Sequence, residues 1–160
     1  MTNTALFDVH GEHSEPLILL HKGEVVVDQE QLPKGRWFFV SPNFSKHVKS
    51  VTFHGPRLAI LTAYLSRDSQ VTIIQAFAPT ADSDEEQHYN FYEQLEELER
   101  KQRGYVVVMG DFNARVGSRK HGKVFIGPHS AEERNEPGER LASFCELHHL
   151  YHGNSRFLGI

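Results

Sequence analysis

The apolar run Val106-Val107-Val108-Met109, closed by Gly110-Asp111-Phe112-Asn113, constrains this chain more than any other segment. Four consecutive apolar side chains leave no polar face for water, so a strand built from them must be covered on both sides. Residues 105–109 are therefore read as a buried strand with a layer of protein above and below. Glycine then breaks the run, and a carboxylate and a carboxamide follow two positions apart. In extended backbone, residues two apart project to the same side, so Asp111 and Asn113 would converge while Phe112 anchors the opposite face.

An ionised Asp can accept a proton from an attacking water or help hold a divalent cation. An Asn amide can donate a hydrogen bond to a phosphoryl oxygen without adding charge. The pair suits phosphate-ester chemistry. It equally suits a plain strand-end turn in which both side chains satisfy local backbone groups, and the tetrapeptide alone does not decide between the two.

Length and charge narrow the field. At 160 residues, 39% hydrophobic and 24% charged, the chain has the composition of a soluble globular protein with one core. No apolar run approaches the roughly 18 residues of a membrane span. Residues 1–10 lack the basic-then-apolar pattern of a signal peptide, so an intracellular setting, nucleus or cytoplasm, is expected rather than secretion. The single Cys145 excludes an internal disulfide partner and falls on an apolar helix face, as a buried inert thiol would. A formal net charge of −4 argues against coating nucleic acid by bulk electrostatics, though not against a nuclease. Behind Asn113 comes a stretch holding Arg115, Arg119, Lys120 and Lys123 and no acid up to residue 131, which reads either as a phosphate-attracting rim or as a solvated loop.

Short apolar runs at 17–20, 24–27 and 37–40 read as strands, followed by three more at 48–53, 58–65 and 70–77 that are rich in Val, Ile, Thr and aromatics. The polar link Ser66-Arg67-Asp68-Ser69 predicts that the last two pair as an antiparallel hairpin. Ser83 with Glu86 matches a capping box, and Phe91, Tyr92, Leu95 and Leu98 then recur at helical spacing until Gly104. The Glu-rich outer face of that helix reads as solvated surface. A second helix is predicted over 139–149, burying Leu141, Phe144, Cys145 and His148. Strand, helix and buried strand in that order indicate an α/β fold whose strand ends carry the site. Eleven histidines invite a metal reading, but no His-Glu-x-x-His occurs and no Cys stands at zinc-like intervals. His121 and His129 lie in the basic stretch, within reach of a phosphate.

Two motifs taken together go further. Thr72-Ile73-Ile74-Gln75-Ala76-Phe77-Ala78-Pro79-Thr80 is followed, beyond one helix, by Val106-Val107-Val108-Met109-Gly110-Asp111-Phe112-Asn113-Ala114. In order and separation they resemble the endonuclease/exonuclease/phosphatase superfamily, and within it the endonuclease domains of non-LTR retrotransposons and craniofacial development protein 2-like sequences. Ser41-Pro42, Glu133-Arg134-Asn135-Glu136, Gly138-Glu139-Arg140-Leu141 and Gly153-Asn154-Ser155 extend the similarity. It covers residues 35–157, leaving 1–34 poorly matched and 35–160 as a partial domain.

The resemblance implies a partial four-layer α/β/β/α sandwich that hydrolyses phosphodiesters with Mg²⁺ or Mn²⁺, acting on nucleic acid, DNA first. By carry-over Asp111 orients or deprotonates the attacking water and can touch the metal, and Asn113 binds the scissile phosphate. Phe77, Thr80, Arg115 and Asn154 become candidate substrate-binding residues. Phe77 stands where the family usually has a tyrosine, so the ring is present without the hydroxyl that would bond a phosphate oxygen.

The resemblance also implies losses. The family completes its site with an Asp-His pair on a late strand, and no aspartate follows Asp111 here. It expects an Asn on its first strand and a metal-binding Glu in an apolar-Gln-Glu context on the next. Glu30 in Gln29-Glu30 matches that context but lies too close to Phe77, with Glu24 and Glu12 poorer matches still. The expectation is an incomplete, weakly active or inactive retroelement-type endonuclease. The alternatives are a non-catalytic nucleic-acid or protein interaction module on the same fold, and a chain that does not fold alone because missing strands leave sheet edges unpaired.

Overall fold

The computed structural model describes residues 3–8, 18–21, 24–26, 38–129 and 132–156. In chain order the elements are β1 (Asn3–Asp8), β2 (Ile18–His21), β3 (Glu24–Val26), β4 (Phe38–Val40), α1 (Pro42–Ser45), β5 (Val48–His54), β6 (Leu58–Tyr64), β7 (Gln70–Phe77), α2 (Glu85–Arg100), β8 (Tyr105–Asp111), α3 (Glu136–His148), β9 (Tyr151–His152) and α4 (Gly153–Arg156). The content is mixed α/β. Six strands form one sheet in the order β5-β6-β7-β8-β1-β9, and β3-β2-β4 form a second.

The predicted hairpin is present, with β6 and β7 antiparallel in continuous register from Leu58↔Ala76 to Tyr64↔Gln70. From β7 onward the sheet turns parallel: β7 pairs with β8, β8 with β1, and β1 with β9. β8 is covered on both faces, as its apolar run requires. Val106 and Val108 join Ile74, Leu95, Leu141 and Cys145 in a core beneath α2 and α3, while Val107 packs toward Phe38, Val40 and Leu61 on the other side. Cys145 is fully buried and free, and burial pushes its thiol up to about 12, so it stays protonated and inert.

Two helix starts differ from the sequence reading. α2 is capped by Asp84, whose carboxylate accepts from the Gln87 N–H at 2.8 Å, because Ser83 instead turns its hydroxyl to that of Thr80. α3 begins at Glu136 rather than 139, capped by Asn135 and carrying Pro137 and Gly138 in its first turn. Proline is tolerated there because the first-turn N–H groups lack helical partners anyway. Gly138 is required by proximity, since a Cβ at that position would lie 1.8 Å from the Arg115 carbonyl oxygen. His148, expected to be buried on α3, keeps its side chain largely covered, at 13% exposed.

β1 has no counterpart in the sequence reading. It inserts between β8 and β9, and its register sets Asp8 opposite Gly110. No helix among the described residues is long and apolar enough to cross a membrane.

Candidate phosphate site

The site begins where β7 and β8 end side by side. Gly110 takes φ +147°, and a Cβ there would fall 1.8 Å from the Ala76 carbonyl oxygen, so only glycine lets β8 lie this close to β7. Beyond it the two strand ends are clipped together. Ala78 N–H donates to the Asp111 carbonyl at 2.8 Å, and Asn113 Nδ2 donates to the Ala78 carbonyl at 2.9 Å. Phe112 is almost fully buried, set edge-on to Phe91 at 6.4 Å between ring centres.

Asp111 and Asn113 do come together, though not through an extended backbone. Asn113 is left-handed at φ +48°, a conformation Asn tolerates better than most residues, and its N–H donates to Asp111 Oδ1 at 2.9 Å. The strand-end turn and the convergent pair are thus one feature. It leaves Asp111 Oδ2, the Asn113 carbonyl and one Asn113 N–H outside these bonds.

The turn opens onto a cavity of about 460 Å³. Its lining includes Asp111, Asn113, Arg115, His129, Glu132, His152, Asn154 and Ser155, which brings three segments distant in sequence to one place. The segment after Asn113 is fixed by Arg134, whose side chain is 2% exposed and donates to the carbonyls of Val116 and Ser118 and to Glu139. Asn135 Oδ1 accepts both from Arg115 N–H and from Gly138 N–H, each at 2.9 Å, so the cap of α3 also holds Arg115 in position. Of the basic stretch, Arg119 is spent on the Ile126 carbonyl and Lys123 on Ser143 and Glu139, which leaves Arg115 as an exposed cation at the cavity.

The far wall is tied by Ser155. Its hydroxyl accepts from Gly127 N–H at 2.8 Å and lies 2.9 Å from His152 Nδ1, and its carbonyl accepts from His129 N–H at 3.0 Å. Burial pushes the His152 imidazole down to about 4, so it is neutral near pH 7. The sequence reading weighed the histidines as a group against zinc spacings and gave no signal for Glu132. His152 and Glu132 are both seen only once the chain is folded.

The remaining candidates lie elsewhere. Phe77 is in register with Asp111 on the neighbouring strand and 48% exposed, outside the cavity lining. Thr80 belongs to the entrance of α2, its carbonyl accepting from Ser83 N–H and within 3.1 Å of His88 Nε2, and it does not line the cavity. Glu30 lies outside the described residues.

No group of three or more His, Cys, Asp or Glu side chains among the described residues could hold a metal ion. A Mg²⁺ ion commonly takes one or two protein carboxylates and completes its shell with water and substrate phosphate. Asp111 supplies one such carboxylate, so the residues present fit a cation that arrives with phosphate and not a closed protein cage.

No protein-family model matches the chain, and no solved structure does. Among curated proteins it is similar to Craniofacial development protein 2 of Tragulus javanicus, 36% identical over 89 residues, which are 54% of this chain and 15% of that protein. It is also similar to Craniofacial development protein 2 of Bos taurus, 32% identical over 100 residues, 61% of this chain and 17% of the relative. Both are partial homologues, and the matched part spans less than one fifth of their length.

Proposed function

We propose that this chain carries the phosphodiester-binding core of a metal-dependent endonuclease of the endonuclease/exonuclease/phosphatase type, with nucleic acid, DNA foremost, as substrate. The observation that carries the reading is the Asp111–Asn113 turn, clipped to Ala78 and opening on a cavity that also holds Arg115 and Asn154. In this reading the two sheets and the helices beneath the larger one are part of the four-layer sandwich, and the kinship with Craniofacial development protein 2 supports the assignment.

Each residue has a chemical task. Asp111 Oδ2 accepts the proton of an attacking water or contacts the cation. Asn113 donates its remaining amide hydrogen to a non-bridging phosphoryl oxygen, and Arg115 and Asn154 hold the flanking backbone. Mg²⁺ or Mn²⁺, when bound, neutralises charge developing on the phosphoryl oxygens. With one assigned carboxylate the cation is held loosely, and turnover is slow.

Purified protein should nick supercoiled plasmid in Mg²⁺ and not in EDTA, and Asp111→Ala should abolish the nicking while the circular dichroism spectrum stays unchanged. Equal nicking by both proteins would remove Asp111 from the reaction. A second reading, binding without turnover, is favoured by the lack of a three-ligand cluster among the described residues. It predicts DNA binding that survives EDTA and no nicking by either protein.

A further inference from the structure

Beside the cavity, the edge of the large sheet carries a cation and an aromatic ring that the proposed chemistry does not use. Phe77 closes β7 in register with Asp111, and its N–H donates to the Arg57 carbonyl at 2.9 Å. Arg57, in the turn just ahead of β6, therefore lies beside Phe77 at the end of β7, which in turn lies beside Asp111 at the end of β8. Strand alternation places the last two on the same face of the sheet. Ile73 and Val107 are paired in register and pack in the core away from α2 and α3, and Phe77 and Asp111 lie four residues further along each strand.

The ring is held but not covered. The Arg57 guanidinium carbon sits 5.9 Å from its centroid and Nη1 reaches the Phe77 carbonyl at 3.4 Å, yet Phe77 remains 48% exposed while the next residues, Ala78 and Pro79, are buried. An uncovered phenyl has no polar tip for water, and its only strong offer to a ligand is its face. A nucleic-acid strand engaged at Asp111 has a base within reach one strand away, since adjacent strands are about 4.8 Å apart.

We propose that Phe77, backed by Arg57, is a stacking platform for an unpaired nucleobase next to the phosphate bound at Asp111. The ligand class is single-stranded or locally unpaired nucleic acid, because a base inside an intact duplex presents its faces only to neighbouring bases. Arg57 contributes a cation to the ring and a counter-charge to the flanking phosphate. The proposal rests on the phosphate reading of the Asp111 cavity and adds to it which nucleic acid the cavity takes.

Fluorescence anisotropy with two labelled oligomers of equal length separates the two ideas. One is oligothymidylate, and the other carries the same phosphates on abasic units. Wild-type protein should bind oligothymidylate roughly five- to a hundredfold more tightly, the range expected for one stacked base. Phe77→Ala should erase that difference without weakening abasic binding, and Phe77→Trp should keep it. Equal binding of both oligomers by the wild type, or an equal loss on both for Phe77→Ala, would overturn the platform and leave the phosphate site standing. Failure of the wild type to bind either oligomer would overturn both.

Discussion

At the scale of single residues, the site depends on conformations that few side chains can adopt. Gly110 combines φ +147° with a hypothetical Cβ 1.8 Å from the Ala76 carbonyl, a contact that backbone must move to relieve. Gly110→Ala should therefore destabilise the chain by about 3 kcal/mol or more, read as a fall in the urea midpoint. A midpoint shift equivalent to less than about 1 kcal/mol would mean that β7 and β8 are not this close. His152 makes the second prediction. Its imidazole is pushed down to about 4 from an ordinary 6.5 because the buried site disfavours charge, so the unfolded chain binds the extra proton first. Its contribution is fully present above pH 6.5 and is lost as pH falls toward 4, by up to about 3 kcal/mol. Carboxylates held down by cations, such as Glu85 beside Arg140, lose their contribution only below their ordinary value of 4.5. Unfolding free energy measured from pH 7 to 4.5 should fall for the wild type and stay nearly flat for His152→Gln, and equal slopes would contradict the assignment.

At the scale of elements, local chemistry made some pieces readable and long-range contact decided the others. β7, β8 and α2 were legible because period and composition agreed along their whole length. The start of α3 was not, because Pro137 and Gly138 have the lowest helix propensities, while their roles are a first-turn proline and a close approach to Arg115. β1 is held by parallel partners roughly 100 and 150 residues away in sequence, β8 and β9, and nothing within Asn3–Asp8 announces them. The cap of α3 is where an element and the site are coupled, since Asn135 Oδ1 serves Gly138 N–H and Arg115 N–H together. Asn135→Ala should cost about 1–2 kcal/mol. It should also speed amide hydrogen exchange at Arg115, and exchange unchanged from wild type would mean that the cap does not hold the cavity wall.

At the scale of the whole molecule, the tetrapeptide supplies part of one cavity wall and the fold brings up the others. Asp111, Asn113, Arg115 and Asn154 were readable from motifs and meet at one cavity. His152 and Glu132 reach the same cavity from β9 and from the segment ahead of α3, a closure no spacing rule anticipates, and Phe77 lies beside it rather than in its wall. The central claim is that this cavity is where a phosphodiester binds. Amide chemical shifts followed while a short oligonucleotide is titrated in Mg²⁺ test it most directly. Saturable changes concentrated at Asp111, Asn113, Arg115 and Asn154, and lost in Asp111→Ala, are the predicted result. Changes confined to another surface, or none at any concentration, would contradict it.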